Sequence, residues 1–270
     1  MILYPPCKIN LGLHILHKRN DGFHELDTCM YEIPLFDILE IIPAKNFEFS
    51  SSGLTIPGEI ETNLCVKAFK LLKENHDISN VKMHLHKQIP MGGGLGGGSS
   101  DGTYALKMLN ELFKLDLSEE TLEKYAATLG SDCAFFVRGE AQIANGRGEI
   151  LTPMKLNLKG LYLKIINIGI HISTANAYKG IVFQKHNKKI NELINLKPEY
   201  WKENLQNDFE ISVFKNHPIL EEVKKQLYFE GAVYASMSGS GSTMYGIFNE
   251  TPEKDSFAHF NPEYEIMIEL

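Results

Sequence analysis

The chain has 270 residues, 43% of them hydrophobic, which is enough apolar material for one large core or two modest ones. Its 27 basic and 34 acidic residues give a net charge of −7 without a basic run that would follow a phosphate backbone, so nucleic acid is not an expected partner. The four cysteines form no CxxC pair, and neither a signal-like start nor a membrane-length apolar segment is present, so we expect reduced thiols in a cytoplasmic protein without a membrane anchor.

The N-terminal part of the chain predicts strands followed by a helix. Residues 9–15 alternate apolar with polar or small side chains, which is typical of a sheet with one solvent-exposed face, and an Asp-Gly turn follows at 21–22. A second apolar run at 38–42 ends at a proline. Asn63 is a predicted N-cap of a helix that runs to Asn75.

Six glycines fall among the seven residues 92–98. The segment before them, 81–87, alternates with period two like a strand, and residues 104–113 carry apolar side chains at helical spacing. A plain turn needs one or two glycines, and each further one costs about 0.5–1 kcal/mol relative to alanine. Backbone N–H groups at a helix start bind anions, so this segment predicts a nucleotide polyphosphate loop, with Ser100 or Ser99 reaching the metal ion. The predicted loop consists of Pro90, Met91, Gly92, Gly93, Gly94, Leu95, Gly96, Gly97, Gly98, Ser99 and Ser100.

Three familiar glycine-rich phosphate sites fit this segment poorly. A Walker A loop needs GxxxxGK[ST], and the first lysine after the glycines is Lys107, inside the predicted helix. The GxGxxG spacing of a dinucleotide site is satisfied by Gly92, Gly94 and Gly97, but the preceding VKMHLHK alternates where a Rossmann strand is continuously apolar. A protein-kinase loop would need HRD and DFG triplets, and the sequence contains neither.

The second half of the chain predicts an α+β arrangement. A helix at 118–129 precedes a strand-like segment that ends near residue 153, where we place a domain boundary, giving domains 1–153 and 154–270. The pattern beyond the boundary predicts a strand at 161–168, helices at 174–183 and 218–227, and strands at 232–237 and 244–248.

Several segments of the sequence resemble the motifs of one enzyme family. PMGGGLGGGSSD resembles the P-x-G-x-G-L-G-x-S-S motif of the GHMP small-molecule kinases, and PPCKINLGLHILHKRNDGFHEL is similar to the opening of the 4-diphosphocytidyl-2-C-methyl-D-erythritol kinase family. LGSDCAFF, GRGEILTP and SMSGSGST match as well, so the resemblance covers residues 5–248. It implies a two-domain GHMP kinase fold, with an N-terminal domain like domain 2 of ribosomal protein S5 and a ferredoxin-like α/β sandwich as the C-terminal domain.

The resemblance also implies an activity: Mg²⁺-assisted transfer of the γ-phosphate of ATP to the 2-hydroxyl of the methylerythritol part of a small molecule that carries a CDP group. This reaction belongs to non-mevalonate isoprenoid synthesis. A homoserine or mevalonate type of GHMP kinase, or a non-catalytic nucleotide-binding sensor, is the alternative; DGFH argues against the first, and retention of Lys8 and Asp132 argues against the second. Nothing in the sequence indicates the oligomeric state.

Two catalytic residues are implied in the same way. Lys8 occupies the family's catalytic lysine position, where an ammonium orients the acceptor hydroxyl and steadies a nearby carboxylate, and Asp132 occupies the position of the general base. On the residues alone, Lys8 is as readily a solvated strand charge, and Asp132 is more commonly a turn or cap residue. An aspartate suffices as a base because a loose phosphoryl-transfer transition state lets the acceptor proton leave late.

Substrate-binding residues are implied at four further positions. Asn10 lies two residues after Lys8 and therefore on the same strand face. Phe23 stands where the family has a tyrosine that stacks on cytosine, so stacking is kept and a hydroxyl contact is lost, and His24 reads the base edge. Tyr178 is either the second face of a cytosine sandwich or a core tyrosine.

Overall fold

Two compact units, interleaved along the sequence, make up the chain. The computed structural model describes residues 1–253 and 256–270. Unit 1 consists of Met1–Lys8, Glu32–Met91 and Gly96–Glu140, and unit 2 consists of Ile9–Tyr31, Gly92–Leu95 and Ala141–Leu270. The division into consecutive domains at residue 153 stays a prediction.

Along the chain, runs of strands and runs of helices follow one another. The strands are β1 (Ile2–Leu3), β2 (Pro6–Lys18), β3 (His24–Phe36), β4 (Ile38–Pro43), β5 (Glu48–Gly53), β6 (Val81–Lys87), β7 (Ala141–Gly146), β8 (Ile150–Met154), β9 (Tyr162–Asn167), β10 (Tyr234–Met237), β11 (Met244–Phe248) and β12 (Tyr264–Glu269). The α-helices are α1 (Leu64–Asn75), α2 (Gly97–Leu112), α3 (Glu119–Leu129), α4 (Phe135–Arg138), α5 (Thr174–Lys179), α6 (Ile190–Leu193), α7 (Trp201–Asn204), α8 (Phe209–Asn216) and α9 (Pro218–Phe229). Across residues 1–253 and 256–270, no helix combines the length and apolarity that a bilayer crossing requires.

Unit 1 is a four-stranded sheet with helices. The strand order is β1-β4-β6-β5, antiparallel except for the parallel pair β5 and β6. The alternation of β6 buries Val81, Met83 and Leu85 on one face, as the sequence pattern predicts. Helix α2 packs against α1, α3 and α4, so the segment after the glycines is held inside the unit.

The predicted starts of two helices in unit 1 are confirmed. Asn63 accepts a hydrogen bond from the backbone N–H of Cys65 and begins α1. Ser118 accepts one from the N–H of Thr121 and begins α3. Each side-chain oxygen satisfies a backbone donor that the helix itself leaves unpaired, which explains why these boundaries are readable from sequence.

Unit 2 contains most of two four-stranded sheets, in which β3 with β7, β7 with β8 and the three pairs formed among β9–β12 are antiparallel. Their strand orders are β2-β3-β7-β8 and β10-β11-β9-β12. Helix α9 packs on β10 and β11. A cluster of buried apolar residues fills the unit: Leu13, Ile15, Leu26, Ile166, Ile172, Ala177, Phe209, Val213, Leu220, Val223, Leu227, Ala232, Ala235, Met237, Met244, Phe248 and Phe257.

Element boundaries in unit 2 differ from prediction at several places. The strand predicted at 244–248 is β11, residue for residue, whereas the helix predicted at 174–183 ends at Lys179. Helix α8 and strand β12 were not predicted. β12 pairs with β9 along its whole length, and such pairing depends on a distant partner strand rather than on local pattern.

The expectation of a solvent-exposed face on β2 is wrong. The polar residues Asn10 and His14 are only 3% and 2% exposed. Later parts of unit 2 cover them: the N–H of Leu13 donates to the carbonyl of Gln206 at 2.8 Å, and the ring of His14 stacks on that of His186 with 3.5 Å between centroids. Period-two polarity here reflects buried polar contacts, which a sequence pattern cannot distinguish from contact with water.

The four cysteines are free thiols, as predicted. All of them are buried, and burial raises the pKa of the Cys133 thiol to about 11.

Candidate active site

Lys8 and Asp132 form an ion pair within unit 1. Lys8 Nζ lies 3.4 Å from Asp132 Oδ2, and the side chains are 3% and 31% exposed, respectively. Lys8 comes from β2, and Asp132 from the turn between α3 and α4. That turn is attached to α2, because the hydroxyl of Thr103 donates to the carbonyl of Cys133 at 2.7 Å. The pair therefore combines a buried cation with a carboxylate that solvent reaches.

The glycine loop ends against Lys8. Gly96 has φ +71°, a left-handed conformation, and caps the N-terminus of α2. A Cβ at Gly96 would lie 3.2 Å from Cγ of Lys8 and 3.1 Å from Cζ of Phe136, so only a glycine fits here without displacing them. At Gly98, by contrast, a Cβ would meet nothing within 4 Å. The first turn of α2 thus has an open backbone face beside the lysine, suited to an anion.

Ser99 and Ser100 differ in what they contact. Ser99 is half-buried, and its hydroxyl bonds to Cys133, next to Asp132. Ser100 is fully buried, and its Oγ has no hydrogen-bond partner among the described residues. Such an unsatisfied oxygen is compatible with a hard cation such as Mg²⁺, which prefers oxygen ligands. Metal binding by Ser100 or Ser99 stays a prediction.

The first part of the loop, Gly92–Leu95, lies in unit 2 against the second glycine-rich turn, residues 238–243. The hydroxyl of Ser238 donates to the carbonyl of Gly94 at 2.8 Å, and the N–H of Thr243 donates to the carbonyl of Gly93 at 3.3 Å. Gly94 has φ +80°, and a Cβ there would collide with the carbonyl of Ser238. The close approach of two backbones explains part of the glycine content. Of the flanking residues, Leu95 is buried, Pro90 half-buried and Met91 exposed.

A buried ion cluster that the sequence analysis missed supports both ends of the loop. Lys87, the last residue of β6, forms ion pairs with Asp37 and with Asp101 of α2, the latter at 2.8 Å, and its side chain is inaccessible to solvent. Asp37 also accepts the N–H groups of Gln88 and Ile89 at 2.6 and 2.9 Å, so the segment that enters the loop is fixed as well. The period-two register of β6 places Lys87 on the same face as the buried apolar residues, and this pattern in the sequence could have predicted that Lys87 is buried.

Burial raises the pKa of Asp101 to about 7; Lys87 opposes this shift and Asp37 adds to it. Burial acts to lower the pKa of Lys87, but Asp101 and Asp37 outweigh it and the net direction is upward. Two carboxylates thus share one ammonium, so the fully ionised cluster would bury one uncompensated negative charge. The cluster accordingly favours retention of a proton on Asp101.

Asn10 is held rigidly in unit 2. Its Nδ2 donates to the hydroxyl of Thr28 at 3.1 Å, and its backbone carbonyl accepts from the hydroxyl of Tyr245 at 2.6 Å. A Cβ on Gly239 would lie 3.5 Å from Oδ1 of Asn10, which places that oxygen beside the second glycine-rich turn. Its part in substrate binding stays a prediction.

The remaining predicted substrate residues include a stacked pair. The rings of His24 and Tyr178 are parallel within 16° with centroids 4.6 Å apart, and Tyr178 packs edge-on against Phe209. Burial, followed by the charge of Lys18, lowers the pKa of His24, so its neutral form is favoured near neutral pH. A ring stacked at this distance leaves no room for a base between His24 and Tyr178 themselves.

Phe23 presents an open aromatic face. It is 53% exposed, and the guanidinium carbon of Arg147 lies 4.8 Å from its ring centroid. The backbone turn that carries Phe23 is fixed, because its N–H donates to Oδ1 of Asp21 at 3.1 Å. Arg147, in the GRGEILTP segment, was not predicted; only its position inside a matched motif singles it out. An exposed ring with a cation over one face is suited to stacking a planar base.

Family models match both halves of the chain. The N-terminal domain of the GHMP kinases matches residues 63–140, and their C-terminal domain matches residues 184–264. A 4-diphosphocytidyl-2-C-methyl-D-erythritol kinase of Cytophaga hutchinsonii is 48% identical over 254 residues, 94% of each chain. The enzyme of that name from Bacteroides fragilis is 47% identical over the whole of both chains.

Solved structures agree with these matches. A 4-(cytidine 5'-diphospho)-2C-methyl-D-erythritol kinase superimposes with a TM-score of 0.79 at 30% identity, covering 92% of this chain and 90% of that one. A mevalonate kinase from Methanococcus jannaschii, 16% identical with a TM-score of 0.68, shares the fold alone. The predicted GHMP kinase fold is confirmed. The chain belongs to the GHMP kinases and, among them, to the 4-diphosphocytidyl-2-C-methyl-D-erythritol kinase family.

Proposed function

We propose that this protein transfers the γ-phosphate of ATP to the 2-hydroxyl of 4-diphosphocytidyl-2-C-methyl-D-erythritol, a step of non-mevalonate isoprenoid synthesis. The observation that carries the proposal is the Lys8–Asp132 ion pair beside the open first turn of α2, in a chain that is 47–48% identical to enzymes of this name over 94–100% of its length. A nucleotide sensor has no use for a paired base at its phosphate loop.

Asp132 acts as the general base in this proposal. Its Oδ2 is held by Lys8, while the side chain stays accessible and receives a 3.4 Å contact from the hydroxyl of Ser131 at Oδ1. The acceptor hydroxyl passes its proton to this carboxylate as its oxygen bonds to the γ-phosphorus, and the bond from that phosphorus to the bridging oxygen of ATP breaks to release ADP. Because the transition state is loose, the proton leaves late and the base needs only modest strength.

Lys8 has two tasks. Its ammonium orients the Asp132 carboxylate and the incoming hydroxyl, and its alkyl chain packs against Gly96 at the helix start. One side chain thus couples the base to the phosphate loop. Positioning of this kind supplies much of the catalysis in phosphoryl transfer.

The loop binds the polyphosphate through backbone N–H groups and the positive end of the α2 dipole. Mg²⁺ bound there would neutralise phosphate charge, and Ser100 or Ser99 would hold it through its hydroxyl. The Lys87 cluster keeps the entry and exit of the loop in place beneath these groups.

Substrate selection is assigned to residues of unit 2. Phe23 stacks on the cytosine ring, neutral His24 reads its polar edge, and Tyr178 fixes the plane of His24. Asn10, immobilised by Thr28 and Tyr245, contacts the substrate from β2. A homoserine or mevalonate acceptor has no base for an exposed phenylalanine to stack on.

A coupled assay of ADP release tests the function. The purified protein with Mg-ATP is given 4-diphosphocytidyl-2-C-methyl-D-erythritol, homoserine or mevalonate in turn, and Asp132→Asn serves as the inactive control. We expect turnover with the first acceptor alone. ADP release that depends on homoserine or mevalonate, or none with any acceptor from a protein that binds ATP, would overturn the proposal.

A further inference from the structure

We propose that Tyr264, in the C-terminal strand, is a positioning residue of the phosphate loop and acts on Gly93 through the hydroxyl of Thr243. The inference rests on the proposed function in one respect, namely that the loop binds ATP. It gives the acidic C-terminal segment, which carries no motif, a part in nucleotide binding.

Three neighbouring strands of unit 2 bring the members of this network together. Asn167 ends β9, Thr243 precedes β11, and Tyr264 begins β12 directly opposite Asn167. The hydroxyls of Thr243 and Tyr264 are 2.8 Å apart, and Nδ2 of Asn167 donates to Oγ1 of Thr243 at 3.1 Å. Thr243 is fully buried, so the side chains of Asn167 and Tyr264 supply the hydrogen bonds that its hydroxyl would otherwise make with water.

The orientation of the network is determined by the backbone. The N–H of Gly169 donates to Oδ1 of Asn167 at 2.8 Å, which turns the amide nitrogen of Asn167 toward Thr243. The Thr243 hydroxyl therefore accepts from Asn167 and exchanges its remaining hydrogen bond with Tyr264. Removal of the tyrosine hydroxyl would leave this buried oxygen with one partner fewer.

Gly93 rests directly on these groups. Its carbonyl accepts the N–H of Thr243 at 3.3 Å. A Cβ at Gly93 would collide with Oγ1 of Thr243 and would lie 3.1 Å from the hydroxyl of Tyr264 and 3.2 Å from Nδ2 of Asn167. The backbone at Gly93 thus packs against three polar groups whose hydrogen bonds fix their positions. Apolar side chains there would restrain the position of the loop less. A small displacement of Gly93 would change the positions of the loop N–H groups that bind the phosphates in the proposed function.

Tyr264→Phe tests the inference, because it removes the hydroxyl and leaves the ring in place. Binding of ADP, measured by calorimetry without turnover, is expected to weaken about fivefold, the loss typical of one hydrogen bond. KM for the alcohol substrate should stay within about twofold of wild type. A purely structural defect would instead weaken the binding of both ligands. Thr243→Val should lose a similar factor, while Thr243→Ser, which keeps the hydroxyl, should restore most of the affinity.

Tyr228→Phe is the matched control. Its hydroxyl also donates within unit 2, to the carbonyl of Ala235 at 3.2 Å, and Ala235 lies outside the glycine-rich segments 90–100 and 238–243. Unchanged ADP affinity in Tyr264→Phe, or equal losses in Tyr264→Phe and Tyr228→Phe, would overturn the inference. A wild-type protein that binds ADP without phosphorylating the CDP-linked alcohol would overturn the proposed function alone, and the network would still be judged by the ADP affinities.

Discussion

Lys8 Nζ lies 3.4 Å from Oδ2 of Asp132, and the lysine side chain is 3% exposed while the aspartate is 31% exposed. A general base in phosphoryl transfer has to be held in position and has to be accessible to the substrate, and this difference in exposure meets both requirements. The cation is fixed by its surroundings, and the carboxylate remains within reach of a substrate.

Asp132→Asn should abolish turnover while nucleotide binding persists. The amide keeps the shape but accepts no proton, so kcat is expected to fall by about 10²–10⁴, the usual contribution of a general base. ADP affinity, measured by calorimetry, should stay within about twofold because the loop N–H groups are untouched. Loss of ADP binding with kcat preserved would contradict the assigned role.

Lys8→Met should lower kcat by about 10² or more and leave the loop folded. Methionine retains the apolar contact with Gly96 but removes the charge that orients Asp132. Lys82→Met is the control, since Lys82 forms an exposed ion pair with Glu48 on the sheet of unit 1. Equal turnover in the two variants, measured as ADP release, would show that the charge of Lys8 is dispensable.

Phe23→Leu should raise KM for the CDP-linked substrate about tenfold with little change in KM for ATP. Stacking of one base on an aromatic ring typically contributes about 1–3 kcal/mol, and leucine keeps the size without the ring face. Phe36→Leu, at another exposed phenylalanine, supplies the matched control. If both variants show the wild-type KM in initial-rate measurements, cytosine is bound elsewhere.

Asp101→Asn should change the pH dependence of stability. Burial raises the pKa of Asp101 from 3.8 to about 7, so the folded protein holds a proton that the unfolded chain has released, and stability falls as pH rises between these values. The variant lacks this decline. Relative to wild type it should therefore gain about 3 kcal/mol in free energy of unfolding between pH 5 and pH 8.

Denaturant unfolding of both proteins at the two pH values measures this gain. Asp116→Asn controls for the loss of a carboxylate far from Lys87 in the chain. A constant difference between Asp101→Asn and wild type at the two pH values would mean that Asp101 is already ionised in the folded protein at pH 5.

Local structure around the site was largely predictable. The cap at Asn63, the alternation of β6 and the glycines before α2 are short-range signals, because capping, pleat and backbone freedom depend on residues only a few positions apart. Their positions followed directly from the pattern. The burial of Asn10 and His14 did not, because the segments that cover β2 come from much later in the chain.

The sequence by itself determined that a glycine-rich anion loop joins a strand to a helix, and its motifs indicated the family. Only the tertiary structure decided which charges meet. Lys8 with Asp132 and Lys87 with Asp37 are pairings between elements distant in sequence, and Tyr264 meets Thr243 because β9 brings β11 and β12 to its two sides. Such contacts form because folding buries these groups together, and a buried charge or hydroxyl without a partner costs free energy, so most find a partner that no local pattern specifies.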